Sequence, residues 1–371
     1  MLRNRVEIRN IRLDEVTLVG QLFNQYWRKN HVFYREPEIL IWQYYQNPYS
    51  KLFTDDLSLL GTFDKDRLIG VLGYMPFLLN NYGDKKEFGC HFCNWYADAS
   101  YGFVGLKLLY KIMHSKLFSA MFAFDQTTKS RPIYKRLNWK MEDYFPRYIL
   151  VTDKACLKEV LVEAKNFYNI IDMLPSPVIV NKSSNKMVDV FEIKTIKELE
   201  WDDFYWNSFA SKSFGPAREK SYLMWRYGNI PRYLYRFIVS YINGAVSGLI
   251  IFRVEQIKNM EEKVVRIMEL ICTEQSFAPL VNRLIEICFY ENVCLVDFFC
   301  TYKIYEDLLE SHGFTKGIIN SAYNLPYLFQ PLESQRLMLD YCWKTNSSKF
   351  ENINNEELYI TKGDADNDRP N

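Results

Sequence analysis

Hydrophobic and polar positions along this chain alternate between two periods, and the switches between them mark the elements. VEIRNI at 6–11 alternates as a strand does, and the run that follows, up to Trp27, repeats apolar residues at helical spacing. A helix around Trp42 comes next. LSLLGTF, a turn at 64–67 and LIGVLGYMPFLL then predict a β-hairpin. EFGCHFCNWYA is apolar on both alternating sets and predicts a long buried strand, VGLKLLYKIMHSKLF predicts a helix, and SAMFAFD another strand. PIYKRLNW reads as a short helix running into a turn, and YFPRYILV as the closing strand.

The same order recurs in the second half: MVDVFEI, a helix around Trp225, the hairpin RFIVSYINGAVSGLIIFRV, the strand VVRIMELICT, the helix FAPLVNRLIEICFYE, the strand CLVDFFC, and IYEDLLESHGF as helix and turn. Direct identity supports this reading. REPEILIWQYYQNP at 35–48 and REKSYLMWRYGNIP at 218–231 superpose with a shift of 183 positions. Arg35/Arg218, Glu36/Glu219, Leu40/Leu223, Trp42/Trp225, Tyr44/Tyr227 and Pro48/Pro231 then coincide. Average composition gives about one such identity by chance. The expectation is a duplicated domain. The first copy spans 1–152, a helical linker 153–187, the second copy 188–333, and an extension 334–371. The extension is expected to be disordered from about 346, because ITKGDADNDRPN has no apolar face to bury.

A length of 371 residues fits two cores of this kind. Charge narrows the partners. With 46 basic against 45 acidic residues no basic field exists to hold a nucleic acid by its phosphates, so none is expected. The opening MLRNRVEIRN is charged where a signal peptide is apolar, and no stretch has the run of about 18 apolar residues that a membrane span needs. A soluble, cytoplasmic protein without membrane insertion is expected. Its eight cysteines then read as reduced thiols. Cys90 and Cys93 form a CxxC around His91, yet on a strand they point to opposite faces, so they are read as core residues and no metal is expected.

A hairpin, a long central strand, a turn into a helix, another strand, and a helix carrying Tyr four residues before a turn: this order, over most of both halves, resembles the GNAT superfamily of CoA-dependent N-acyltransferases. The resemblance implies an α/β (α+β) chain of two tandem GNAT folds, each a mixed, mostly antiparallel sheet flanked by helices, with acyl-CoA as co-substrate. The family's (Q/R)xxGxG/A turn corresponds to WYADASYGFVGLKLL, in which Gly105 is kept while Gly102 and Lys107 depart from the pattern. Trp95, Tyr96, Ala97 and the run Gly102, Phe103, Val104, Gly105, Leu106 and Lys107 become the candidate cofactor-binding residues. The physical case is that a helix N-terminus offers unsatisfied N–H groups and partial positive charge to a pyrophosphate.

Tyr134 matches the family's "YxxxGF" tyrosine, with Asn138 and Trp139 in the G and F places, and is the candidate general acid for the departing thiolate. Main-chain N–H groups near Trp95 and Tyr96 are candidates to polarise the thioester carbonyl. His91 is the candidate base because its ordinary pKa lies near neutrality, Asn94 the candidate to orient the amine, and Asp98 or Glu87 could act through water. An amine that binds already neutral needs no dedicated base. The second half has TEQSFAPLVNRL where the glycine turn stands and Leu309 where Tyr134 stands, which predicts one CoA site per chain.

The YLxWRY…P helix resembles that of bacterial acyltransferases acting on nucleotide-linked amino-sugars. It implies a dTDP-linked or similar amino-deoxy sugar as acceptor and an acetyl or hydroxyacyl group as cargo. Arg35 and Arg218 could then grip the diphosphate and Trp42 and Trp225 could stack on base or sugar. The simpler readings are ion pairs for the arginines and core anchors for the tryptophans. A tRNA-dependent transferase of the same architecture and a non-catalytic scaffold are the rival functions.

Overall fold

The alternating segment at the start of the chain forms β1 (Glu7–Asn10), and the apolar stripe after it forms α1 (Val16–Tyr26), followed by α2 (Val32–Arg35) and α3 (Pro37–Tyr44). The computed structural model describes residues 6–80, 86–160, 168–180, 188–257, 261–317, 339–347, 350, 353 and 355–364. The expected hairpin is β2 (Leu59–Asp64) and β3 (Arg67–Leu78), and the doubly apolar segment is β4 (Phe88–Ala97). Then come α4 (Val104–Met113), β5 (Ala120–Phe124), α5 (Arg131–Arg136), β6 (Lys140–Glu142) and β7 (Arg147–Val151). The linker contributes α6 (Lys154–Val160) and α7 (Tyr168–Met173).

The second half repeats the plan with β8 (Val188–Ile193), α8 (Trp201–Phe204) and α9 (Lys220–Leu223). The expected Trp225 helix leaves the α form after Leu223 and continues as a π-helical turn over Met224–Gly228. Its hairpin, β9 (Arg236–Ile242) and β10 (Ala245–Gln256), turns on Asn243 and Gly244, whose φ of 53° and 79° is what a two-residue turn between right-twisted strands requires. β11 (Lys263–Cys272), α10 (Glu274–Tyr290), β12 (Val293–Phe299), α11 (Glu306–Ser311), β13 (Thr315–Lys316) and β14 (Tyr341–Thr345) complete the set. Thr273 caps α10 by accepting from Ser276 N at 3.3 Å.

The strands form two seven-stranded sheets, β1-β2-β3-β4-β5-β14-β6 and β13-β7-β12-β11-β10-β9-β8. Each is antiparallel except at one central pair, β4 with β5 and β11 with β12. The closing strand of each half lies in the other half's sheet. β7, from the first half, pairs with β12, while β14, from the extension, pairs with β5. This corrects the boundary expected at 152: the first sheet ends its own contribution at β6 and is completed by residues 341–345. Local pattern fixes a strand's type and faces but not which edge it joins, since any apolar closing strand satisfies either sheet.

The extension also corrects the expected disorder from 346. Leu358, Tyr359, Ile360 and Thr361 are fully buried, and Lys362 and Asp364 are 1% exposed. The segment runs between Phe214 and Thr301, joined by isolated bridges, with Tyr359 N bonded to Phe214 O at 2.8 Å and Thr301 N to Ile360 O at 3.1 Å. Residues 365–371, also expected to be disordered, lie outside the described residues. So do 318–338.

The facing sides of the two sheets share one hydrophobic cluster, with Leu59, Val71, Phe77 and Phe122 from the first and Val239, Ile251, Met268 and Phe298 from the second. The opposite face of the first sheet packs Leu72, Tyr74, Phe92 and Met121 under Leu108 and Ile112 of α4. Cys90 joins that outer cluster while Cys93 packs against the shared one, so the CxxC does straddle the sheet. No described helix is long and apolar enough to cross a membrane.

Candidate active site

β4 and β5 run parallel and in register from Gly89/Ala120 to Phe92/Ala123, after which their pairing ends while β4 continues to Ala97. The strands part because β4 bulges at that point. Gly73 of β3 faces Cys93 and Val71 faces Tyr96, so Asn94 and Trp95 together oppose Leu72. Asn94 takes the left-handed conformation (φ 53°), which asparagine tolerates, and Tyr44 donates its hydroxyl to Asn94 Oδ1. Gly73 is required here: a Cβ at that position would collide with the Tyr44 ring.

The splay opens a cleft of about 200 Å³. β4 lines it with His91, Phe92, Cys93, Asn94 and Trp95, β5 and its following loop with residues 123–127, α5 with Tyr134, and Trp27, Met75 and Ser130 complete the wall. Three expected catalytic residues, His91, Asn94 and Tyr134, therefore meet in one cavity. Trp27, Asp125, Gln126 and Thr127 were missed. The polar run DQTT directly after an apolar strand was the available signal, since loops leaving the carboxyl ends of strands carry the polar groups of a site.

Tyr134 stands on the outer face, its ring edge-on to Trp95 (5.8 Å, 63°) and 4.7 Å from Trp139. Asn138 closes the helix at φ 58°, as the turn after Tyr134 requires. Burial, helped by the nearby Cys342, Cys93 and Cys90 thiols, pushes the Tyr134 phenol well above its ordinary pKa, so it holds its proton at neutral pH.

His91 points to the opposite face, among Phe77 (4.6 Å between rings), Phe124 (5.3 Å) and Phe122 (5.6 Å). The parting of β4 and β5 lets one cavity reach both residues. Burial lowers the His91 pKa; Asp364 opposes this from 3.7 Å, and Arg218 and Arg226 reinforce it. The imidazole is thus neutral and able to accept a proton. Asp98 is a poorer base: hydrogen bonds from the Ser100 hydroxyl (2.6 Å) and amide (3.0 Å) hold its carboxyl below the usual range.

The glycine turn adjoins the cleft. Gly102 (φ 65°, ψ −119°) reverses the chain into α4 in a conformation only glycine adopts readily. The Lys107 amide bonds Phe103 O at 3.0 Å, and the amides of the four residues before it face out of the helix end. Trp95 donates its indole N–H to Gly105 O at 3.2 Å, tying the helix start to the bulge. A Cβ on Gly105 would lie 3.1 Å from Ala97 Cβ and 3.3 Å from Trp95 Nε1. Val104 is buried, Leu106 half-buried, and Phe103 and Lys107 are exposed, while Tyr96 leaves the cleft to stack on Tyr26 at 5.5 Å.

The expected acceptor residues are elsewhere. Arg218 is fully buried, bonded to Glu269 (2.8 Å), Asp364 (2.6 Å) and Pro216 O (2.6 Å). It is the ion-paired structural residue of the simpler reading. Trp42 and Trp225 are core anchors, stacked on each other. Arg35 is exposed on α2 and does not line the cleft.

The second half shows what becomes of the same geometry without a free cleft. Adding 175 to each number carries the β4–β5 register onto β11–β12, so His91/Phe122 becomes Arg266/Asp297 and the last pair becomes Ile267/Phe298. β11 bulges at Met268. Here the chain's own Tyr359 occupies the opening, its hydroxyl 2.9 Å from Glu269 Oε2 and accepting from Leu270 N at 3.2 Å.

No protein-family model and no curated protein matches the sequence. Solved structures do. A conserved protein of unknown function from Enterococcus faecalis V583, described as a probable N-acyltransferase, superposes with a TM-score of 0.55 at 14% identity, covering 91% of this chain and 72% of its own. GCN5-related N-acetyltransferases from Kribbella flavida and Anabaena variabilis ATCC 29413 each reach a TM-score of 0.54 at 10% identity, covering 93% and 92% of this chain and 72% and 73% of theirs. Two mixed, mostly antiparallel sheets with helices on their faces are the fold this likeness shows: the chain is built as two GNAT-like domains.

Proposed function

We propose that the chain is an acyl-CoA-dependent N-acyltransferase with a single site, the cleft between β4 and β5. One observation carries this reading: a proton-holding tyrosine, a neutral histidine and a bulged strand converge on one cavity beside a glycine turn that opens a helix. An acyl-CoA thioester bound there supplies the activated acyl group. The helix end at 103–106 offers main-chain donors to a pyrophosphate. The bulge amides at Asn94 and Trp95 stabilise the oxyanion that forms when an amine attacks, Tyr134 protonates the leaving sulfur, and His91 takes the proton the amine loses.

The acceptor is an amine. A nucleotide-linked amino-sugar rests on the resemblance of the YLMWRY helix alone, whose Arg218 and Trp225 are core residues. The described lining of the cleft carries Asp125 and no lysine or arginine, so a diphosphate finds no cationic partner in it. The near balance of charge speaks against a tRNA-bound donor.

Calorimetric titration of acetyl-CoA tests the proposal. The expected result is one site per chain, lost in Gly105→Glu. An absence of binding to the folded wild type refutes it and leaves the scaffold reading.

A further inference from the structure

The segment that plugs the second domain also reaches the first domain's cleft, where Asp364 Oδ1 lies 3.7 Å from His91 Nε2. What this contact does follows from the acyl-transfer role proposed for His91. His91 lines the cleft and, with Asp364, Asn47, Phe77, Tyr222 and Arg226, also a narrow gap with no room for a water molecule. Both ring nitrogens are buried and lack a hydrogen-bond partner among the described residues. A buried nitrogen without a partner is destabilising, and a folded protein keeps few of them without a use.

Asp364 is itself fixed. Its Oδ2 accepts from Arg218 at 2.6 Å and from the Thr361 amide at 2.8 Å, which leaves Oδ1 to His91 Nε2 at 3.7 Å, with the Tyr222 hydroxyl 3.4 Å away. The contact is longer than a hydrogen bond, as base–orienter pairs often are before substrate binds. We propose that Asp364 is a positioning residue for the first domain's site: it holds the His91 ring with Nε2–H toward Oδ1 and leaves Nδ1 as the ring's basic atom. When the attacking amine loses its proton, the proton goes to Nδ1, and the resulting imidazolium faces the Asp364 carboxylate against Arg218 and Arg226. The site is incomplete without Asp364 of the extension.

Long-range nitrogen–proton spectra of the full-length protein read the tautomer directly, with His91 assigned through His91→Gln. The wild type should show the Nε2–H form near neutral pH, and the His91 signal should move when acetyl-CoA is added. In Asp364→Asn, which keeps the shape and removes the charge, the His91 titration midpoint should fall. An Nδ1–H ring in the wild type overturns the assignment without any variant, as does an unchanged midpoint in folded Asp364→Asn or a His91 signal indifferent to bound acetyl-CoA. Failure of acetyl-CoA to bind counts against the acyltransferase reading instead, while tautomer and titration still judge Asp364.

Discussion

Trp42 and Trp225 stack at 5.1 Å with 19° between their planes, and each donates its indole N–H to the other's backbone carbonyl, at 2.8 and 2.9 Å. Equivalent residues of the repeat thus contact each other reciprocally, as residues do across a two-fold axis between identical subunits. Both belong to the shared core.

Replacing either tryptophan by phenylalanine keeps much of the stacking but takes the indole donor away from a buried carbonyl. Each change is expected to cost about 1–3 kcal/mol in urea unfolding. The double variant should cost less than the sum of the two, because the partners touch.

Tyr134→Phe removes the proposed proton donor and little else. With an accepted amine substrate, turnover should fall by about 10²- to 10⁴-fold while acetyl-CoA affinity stays within about twofold. Because the phenol is held well above its ordinary pKa, the wild-type rate should show no alkaline fall from this group up to about pH 10.

Tyr359→Phe tests the plug. The hydroxyl lost is the one bonded to Glu269 and Leu270, and the expected cost is about 1–3 kcal/mol of stability. Acetyl-CoA should still bind at one site per chain.

Acid should unfold the protein through the charges buried in the second domain. Burial alone would raise the carboxyls of Asp297 and Glu255, but Arg266, with Arg147 beside the first and Arg253 beside the second, holds both below their ordinary values. Their contribution is present above about pH 4 and lost as pH falls through the depressed folded values. Glu269, raised by burial, works in the opposite sense and blunts the effect. Urea midpoints should drop below about pH 4. Asp297→Asn should destabilise by about 3–5 kcal/mol at neutral pH, since it leaves Arg147 without its carboxylate (2.8 Å), and should flatten the acid limb.

Much of this was legible in the sequence. The periods of apolar residues place β4, α4, β5 and the Tyr134 helix, the elements that carry His91, Asn94 and Tyr134 to one cleft. What periodicity does not carry is the identity of a strand's neighbour, so the exchange of β7 and β14 was hidden. Nor does it register burial by ion pairing: TKGD scores as solvated tail, yet Asp364 is buried by Arg218 and Lys362 lies near Asp297 and Glu255. Arg218 misled in the same way, being a residue type at home on phosphate and equally on a buried carboxylate.

The crossing of the two closing strands also sets an order of events during synthesis. β5 at 120–124 has no neighbour on its outer edge until 341–345 has been made, more than 200 residues later. Until then the first sheet presents an open, apolar edge able to template pairing with another chain. A ribosome that stalls in the second half therefore leaves a product with one unfinished sheet, because the strand that completes it is made only at residues 341–345.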